Sequence, residues 1–166
     1  MEPDDEILEI VDEEGQIIGR ARRGECHADP RLLHRAVHLF VFDREGRLFL
    51  QKRGLGKRIQ PGRWDTSVGG HVDPGEGPEQ AVLREAAEEL GLEGITPDFL
   101  HRYIWRSPVE SELVSTYRCT HEGPFTLKAD EIDEGRFHTP NELRALVGTG
   151  QLTPNLEHEL ALLGIV

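Results

Sequence analysis

Apolar runs broken by charged, glycine-bearing turns open the chain. Residues 7–11 and 16–20 are two such runs flanking Asp12, Glu13, Glu14 and Gly15, which predicts a leading hairpin over 7–20. Residues 21–33 read as a loop. Runs at 34–43 and 48–53 then flank Arg44, Glu45 and Gly46, and the first is apolar on both alternating faces, the pattern of a central strand covered on two sides. A polar Gly/Pro loop is expected at 54–63, a short strand at 66–72, later strands at 99–106 and 112–119, and another at 135–138.

Between 78 and 90 the period becomes helical. Gly75 and Gly77 give a flexible approach, Pro78 suits a first helical position, and Gly91 suits a left-handed stop after Leu90. At roughly 100° per residue, Leu83, Ala86, Ala87 and Leu90 share one face and Glu85, Glu88 and Glu89 the opposite one. The apolar face is expected to pack and the acidic face to look outward. Two more helices are predicted at 140–147, starting near Thr139 or Asn141, and at 154–163. Strands before and after a helix, with helices at the end, predict an α/β fold with a mixed β-sheet between helical layers. The 166 residues form one expected domain, 1–166, with no repeat or low-complexity segment.

Charge narrows the partners. A formal net charge of −12, without a long basic cluster or an apolar run of membrane-spanning length, argues against nucleic-acid and membrane binding. The start does not read as a signal peptide. Cys26 and Cys119 lack metal or disulfide spacing, so packing roles and a reducing cytoplasm are expected.

The glutamates at i, i+3 and i+4 carry the chemistry. Three like charges there cost a few tenths of a kcal/mol per pair on an ordinary helix, which a bound cation offsets. Carboxylates are hard ligands, and Mg²⁺ or Mn²⁺ fits them with phosphate oxygens in the remaining positions. A solvated acidic face is the plain alternative, but the wider pattern speaks against it. Gly70, Glu76, Arg84, Glu85, Ala86, Glu88, Glu89, Gly91 and Leu92 fill every defined position of a motif over 70–92. The segment resembles the Nudix box. That resemblance implies an α/β/α sandwich, with divalent metal held by Glu85, Glu88, Glu89 and the Gly70 carbonyl. It also implies a Glu76–Arg84 pair that holds the loop and aims Glu85. Nudix proteins are often dimers, so a homodimer is an open expectation.

The upstream segment looks like the isopentenyl-diphosphate isomerase branch of that superfamily, with similarity over about 7–138. It implies that Arg53 and Lys57 hold a substrate diphosphate, and that His27, His34, His71, Glu110 and Glu112 match a metal site of the isomerases. One departure decides the chemistry. The isomerases carry an acid/base cysteine where this chain has Gly69, and glycine offers neither proton nor nucleophile. The Arg-Glu-Ala-x-Glu-Glu core is intact. The expected activity is therefore metal-dependent hydrolysis of a nucleoside diphosphate linked to another group, a small-molecule diphosphate substrate. Glu88, Glu110 and Glu112 all qualify as general base, with Glu112 favoured. An isomerase-like protein acting on isoprenoid diphosphates and a non-catalytic nucleotide-binding module are the alternatives. Trp64, Tyr103, Trp105 and Phe137 are candidates for stacking on a base or for core packing.

Overall fold

In the computed structural model, which describes residues 3–57, 60–128 and 132–166, the strand predicted as central is the hub. This strand, β3 (Leu33–Phe42), is buried at every residue except Arg35. It runs parallel to β8 (Ser111–Thr120) along its whole length, from Leu33 opposite Ser111 to Phe42 opposite Thr120. On its other edge it pairs antiparallel with β6 (Val68–His71). Because side chains alternate faces, Val37, Leu39 and Val41 enter one core and Phe40 and Phe42 the other. The first core lies under α2 (Pro78–Leu90) through Ala81, Val82, Ala86 and Leu90. The second is closed by α3 (Pro140–Leu146) and α4 (Pro154–Leu162), whose Leu143, Leu156 and Leu160 are fully or almost fully buried. Each such leucine contributes about 1.5–3 kcal/mol of burial. The result is the expected α/β/α sandwich.

The hairpin joins β1 (Ile7–Val11) to β2 (Ile17–Arg22); the Asp12 carboxylate accepts from the Glu14 and Gln16 backbone at 3.0 and 2.9 Å, and Gly15 takes φ +86°. The segment read as a loop over 21–33 instead holds the end of β2 and a one-turn helix, α1 (Arg23–Cys26), anchored by fully buried Cys26 against Leu8 and Ile10. The single strand expected at 66–72 is split between β5 (Trp64–Asp65) and β6. At the break, the Thr66 hydroxyl donates to the Leu39 carbonyl, and that of Ser67 accepts from Val41 N and donates to the Phe49 carbonyl. The strand expected at 135–138 is β9 (Ile132–His138), paired with β4 (Leu48–Arg53). β7 (Asp98–Arg106) completes the sheet beside β8. Thr139, not Asn141, caps α3: its hydroxyl accepts from Glu142 N at 3.1 Å while Glu142 accepts from Thr139 N at 3.0 Å.

One expectation about α2 is overturned. Leu83 is 38% exposed, whereas Glu89 is 6% exposed. The packed stripe is Ala81, Val82, Ala86 and Leu90, which rotates Glu85 and Glu89 inward rather than out to solvent. Residue pattern alone misplaced the face because part of what the helix covers is a polar cavity, where a carboxylate finds partners and Leu83 would not. Both cysteines are buried and free, and burial lifts each thiol pKa to about 11. No helix among the described residues is long and apolar enough to cross a membrane.

Candidate active site

The box segment folds as predicted around Arg84. Its Nε and Nη2 donate to the two Glu76 oxygens, each at 2.9 Å, while Nη1 donates to Glu85 at 2.8 Å and Nη2 to the His71 carbonyl at 3.0 Å. A planar fork is needed to reach all of these at once. Glu76 is held below the usual carboxylate range by those bonds and also accepts from Asp73 N at 3.0 Å, which fixes the loop before α2. Gly70 stands where any side chain would overlap the Glu85 carboxylate. Glycine there is a condition of the strand and helix approaching so closely.

Glu89 accepts from the Gln51 amide at 2.7 Å, and its second oxygen is buried without a hydrogen-bond partner among the described residues. Burial first, then repulsion from Glu85, raises the Glu89 pKa well above the ordinary value; burial also raises that of Glu85, against the pull of Arg84. A buried carboxylate oxygen lacking a donor, beside a second carboxylate and a backbone carbonyl, has the chemistry of a hard-cation site. Glu88 is half exposed and reaches Arg84 at 3.4 Å.

Five further donors meet nearby. His27 Nε2 lies 3.4 Å from His71 Nε2 and 3.2 Å from Glu110; His34 Nε2 lies 3.7 Å from Glu110 and 3.6 Å from Glu112; His71 lies 3.7 Å from Glu112. His34 Nε2 and one Glu110 oxygen are buried without hydrogen-bond partners among the described residues. The donors fall into two triads that share His34, His27–His34–His71 and His34–Glu110–Glu112, and separations a little above the ~3 Å found between neighbouring ligands of a divalent ion let each triad hold a cation. The protonation pattern agrees. Burial, with repulsion from His34 and His27, drives His71 down to about 3, while pairing with His34 overcomes burial and holds Glu112 near 2. Burial and the Glu112 charge raise Glu110 to about 7.

Both centres open into one cavity of about 670 Å³, whose lining also includes Arg53 and Lys57. Arg53 donates to Asp65 at 3.2 Å. None of Trp64, Tyr103, Trp105 or Phe137 is among the described residues lining it; Trp64 lies in the core over His138, and Phe137 packs against Phe49. Arg23, Gln51 and His38 are among the lining residues that sequence reasoning did not single out. The last was detectable as a lone polar residue inside the apolar run around Val37 and Leu39.

Comparison with known proteins decides the family, because the model of the NUDIX domain matches residues 32–157. The chain belongs to the Nudix family. One Nudix relative, an isopentenyl-diphosphate Delta-isomerase of Streptomyces avermitilis, is 40% identical over 146 residues, 82% of this chain and 73% of that protein. An uncharacterised Nudix hydrolase of Streptomyces coelicolor is 36% identical over 153 residues, 91% of this chain and 84% of the other. Among solved structures, DR0079 from Deinococcus radiodurans superposes with a TM-score of 0.82 at 27% identity, covering 94% of this chain and 98% of that one. The MutT protein of Methanosarcina mazei shares the Nudix fold at a TM-score of 0.67 and 19% identity, over 82% of this chain and 96% of that one.

Proposed function

We propose that the protein is a divalent-metal-dependent pyrophosphohydrolase cleaving a nucleoside diphosphate linked to another group. The observation that carries this reading is the complete set of Glu85, Glu88 and Glu89 around a cavity that also presents Arg53 and Lys57. Glu85, Glu89, Glu88 and the Gly70 carbonyl would hold Mg²⁺ or Mn²⁺, which supplies charge to neutralise phosphate oxygens and acidifies the attacking water. Arg53 and Lys57 bind and orient the diphosphate, leaving the scissile bond over the carboxylates. Arg84 keeps Glu85 aimed. Glu112 takes the proton from water, since it is ionised and lines the cavity, whereas Glu88 is partly engaged by Arg84.

The experiment is incubation with a panel of nucleoside diphosphate derivatives, nucleotides and isoprenoid diphosphates with Mg²⁺ or Mn²⁺, beside a Glu89→Gln control, with products identified by mass. Metal-dependent release of a nucleoside monophosphate that disappears in the control supports the reading. Tight nucleotide binding with no product would replace it by a non-catalytic binding module.

A second reading, action on an isoprenoid diphosphate, is favoured by the His27, His34, His71, Glu110 and Glu112 cluster and by relatives named as isomerases. Gly69 weighs against proton transfer across a double bond. A Cβ at 69 would lie 3.3 Å from His38 Cδ2, so a cysteine fits after a small shift. Gly69→Cys that converts isopentenyl diphosphate to its allylic isomer would favour this second reading; an inert variant would remove its main support.

A further inference from the structure

Glu159 is a fully buried carboxylate on α4, a helix otherwise anchored by leucines. Three donors bond to it: His38 Nδ1 at 2.5 Å, His101 Nε2 at 2.8 Å and the Thr116 hydroxyl at 2.5 Å. They come from β3, β7 and β8, so the second core closes around one negative charge. A buried charge of this kind costs several kcal/mol unless a cation accompanies it. His38 is placed to be that cation, and it is also the member of the group that lines the cavity.

The ring is held in one orientation. Its Nδ1 edge faces Glu159, and the opposite edge lies beside Gly69, directly across the β3–β6 ladder, with Nε2 3.7 Å from the position of a Cβ on Gly69. No hydrogen bond among the described residues takes up Nε2. Glycine at 69 places no side chain against that edge of the ring, and His38, Gly69, Glu85 and Glu89 all line the one cavity.

We propose that His38 is a substrate-binding residue, an imidazolium donating its Nε2–H to a phosphate oxygen of the diphosphate, and that Glu159 is the positioning residue that orients it and keeps it charged. The inference rests on the diphosphate reading above and assigns it a third cation, rigid where Arg53 and Lys57 sit on longer arms. The groups facing the ring are Glu159 from α4, Asp65 from β5, Glu112, His101 and Thr116. Burial pushes its pKa down, but attraction to Glu159, then Asp65 and Glu112, prevails and lifts it to about 9. Glu159 is itself held far below the usual carboxylate range: His38 and the hydrogen bonds of His101 and Thr116 outweigh its burial.

The test uses methylenediphosphonate, a diphosphate that cannot be hydrolysed, titrated into the full chain with Mg²⁺ by calorimetry. Loss of one charge-assisted hydrogen bond in His38→Asn is expected to weaken binding about tenfold to hundredfold. Glu159→Gln should weaken it in the same direction and raise KM for the cleaved nucleotide more than it lowers kcat. Wild-type protein labelled with ¹⁵N needs no variant to fold, and should show scalar coupling between His38 Nε2 and phosphorus in the complex. Absence of that coupling, or equal affinity in a folded His38→Asn protein, overturns the proposal. Wild-type protein that neither binds the diphosphonate nor cleaves any nucleoside diphosphate sinks the parent reading instead.

Discussion

Replacing Arg84 with lysine keeps the charge and removes the shape. The guanidinium makes two bonds to Glu76, one to Glu85 and one to the His71 carbonyl, all between 2.8 and 3.0 Å. A single ammonium on a shorter reach satisfies about half of these. Two charge-assisted bonds at about 1.5–3 kcal/mol each set the upper scale, and the 27% exposure of the Arg84 side chain reduces it to about 2–4 kcal/mol. The folded protein should therefore lose about that much stability, read from urea unfolding of the metal-free chain. Glu85 would lose its fixed aim, and outer partners of this kind are worth about tenfold to hundredfold in metal affinity or activity. Calorimetric titration with Mn²⁺ measures the first independently of substrate, and steady-state turnover the second. If Arg84→Lys binds Mn²⁺ and turns over like wild type, charge alone suffices and the argument from the planar fork is wrong.

Glu89→Gln removes a ligand charge with almost no change of volume, so turnover should fall more than about a hundredfold while circular dichroism stays unchanged; an active variant contradicts the metal assignment. His27→Gln with His34→Gln should abolish one class of bound divalent ion in atomic-absorption analysis, and unchanged metal content would mark these histidines as relics. Stability should also carry a pH signature from His38. Its pKa rises from 6.5 to about 9 on folding, so its contribution is complete below about pH 6.5 and is lost as pH climbs through 9. The difference in unfolding free energy between wild type and His38→Asn should shrink across that window, and a constant difference would refute the His38–Glu159 pairing.

Much of the architecture was legible because it is written in local pattern. Period-two runs marked the strands, the Gly77-Pro78 entry and Gly91 exit bounded α2, and α4 matched to within a residue. The Glu76–Arg84 geometry was legible too, since both partners lie within one motif. What failed was whatever a distant element decides. The facing of α2 depended on a polar cavity beneath Glu85 and Glu89, which helical periodicity does not report. Helix α1 is held by Cys26 inserting between β1 residues, a contact invisible in a segment that reads as polar loop. The His38–Glu159 contact joins strand β3 to the last helix, and no spacing rule links residues so far apart.

The parallel ladder between β3 and β8 has a consequence for how the protein is made. It sets His34 opposite Glu112, so two members of the five-donor cluster belong to strands separated by nearly half of the chain, including α2. Parallel pairing of this kind closes a long loop before any contact rewards it, and it forms slowly. A nascent chain thus carries its entire box past the ribosome before the histidines have a glutamate to meet, and Glu159 arrives later still. The α2 carboxylates and all three histidines are therefore made before Glu110 and Glu112, and the part of the cavity wall that Asn155 supplies forms only after the C-terminal helix has docked.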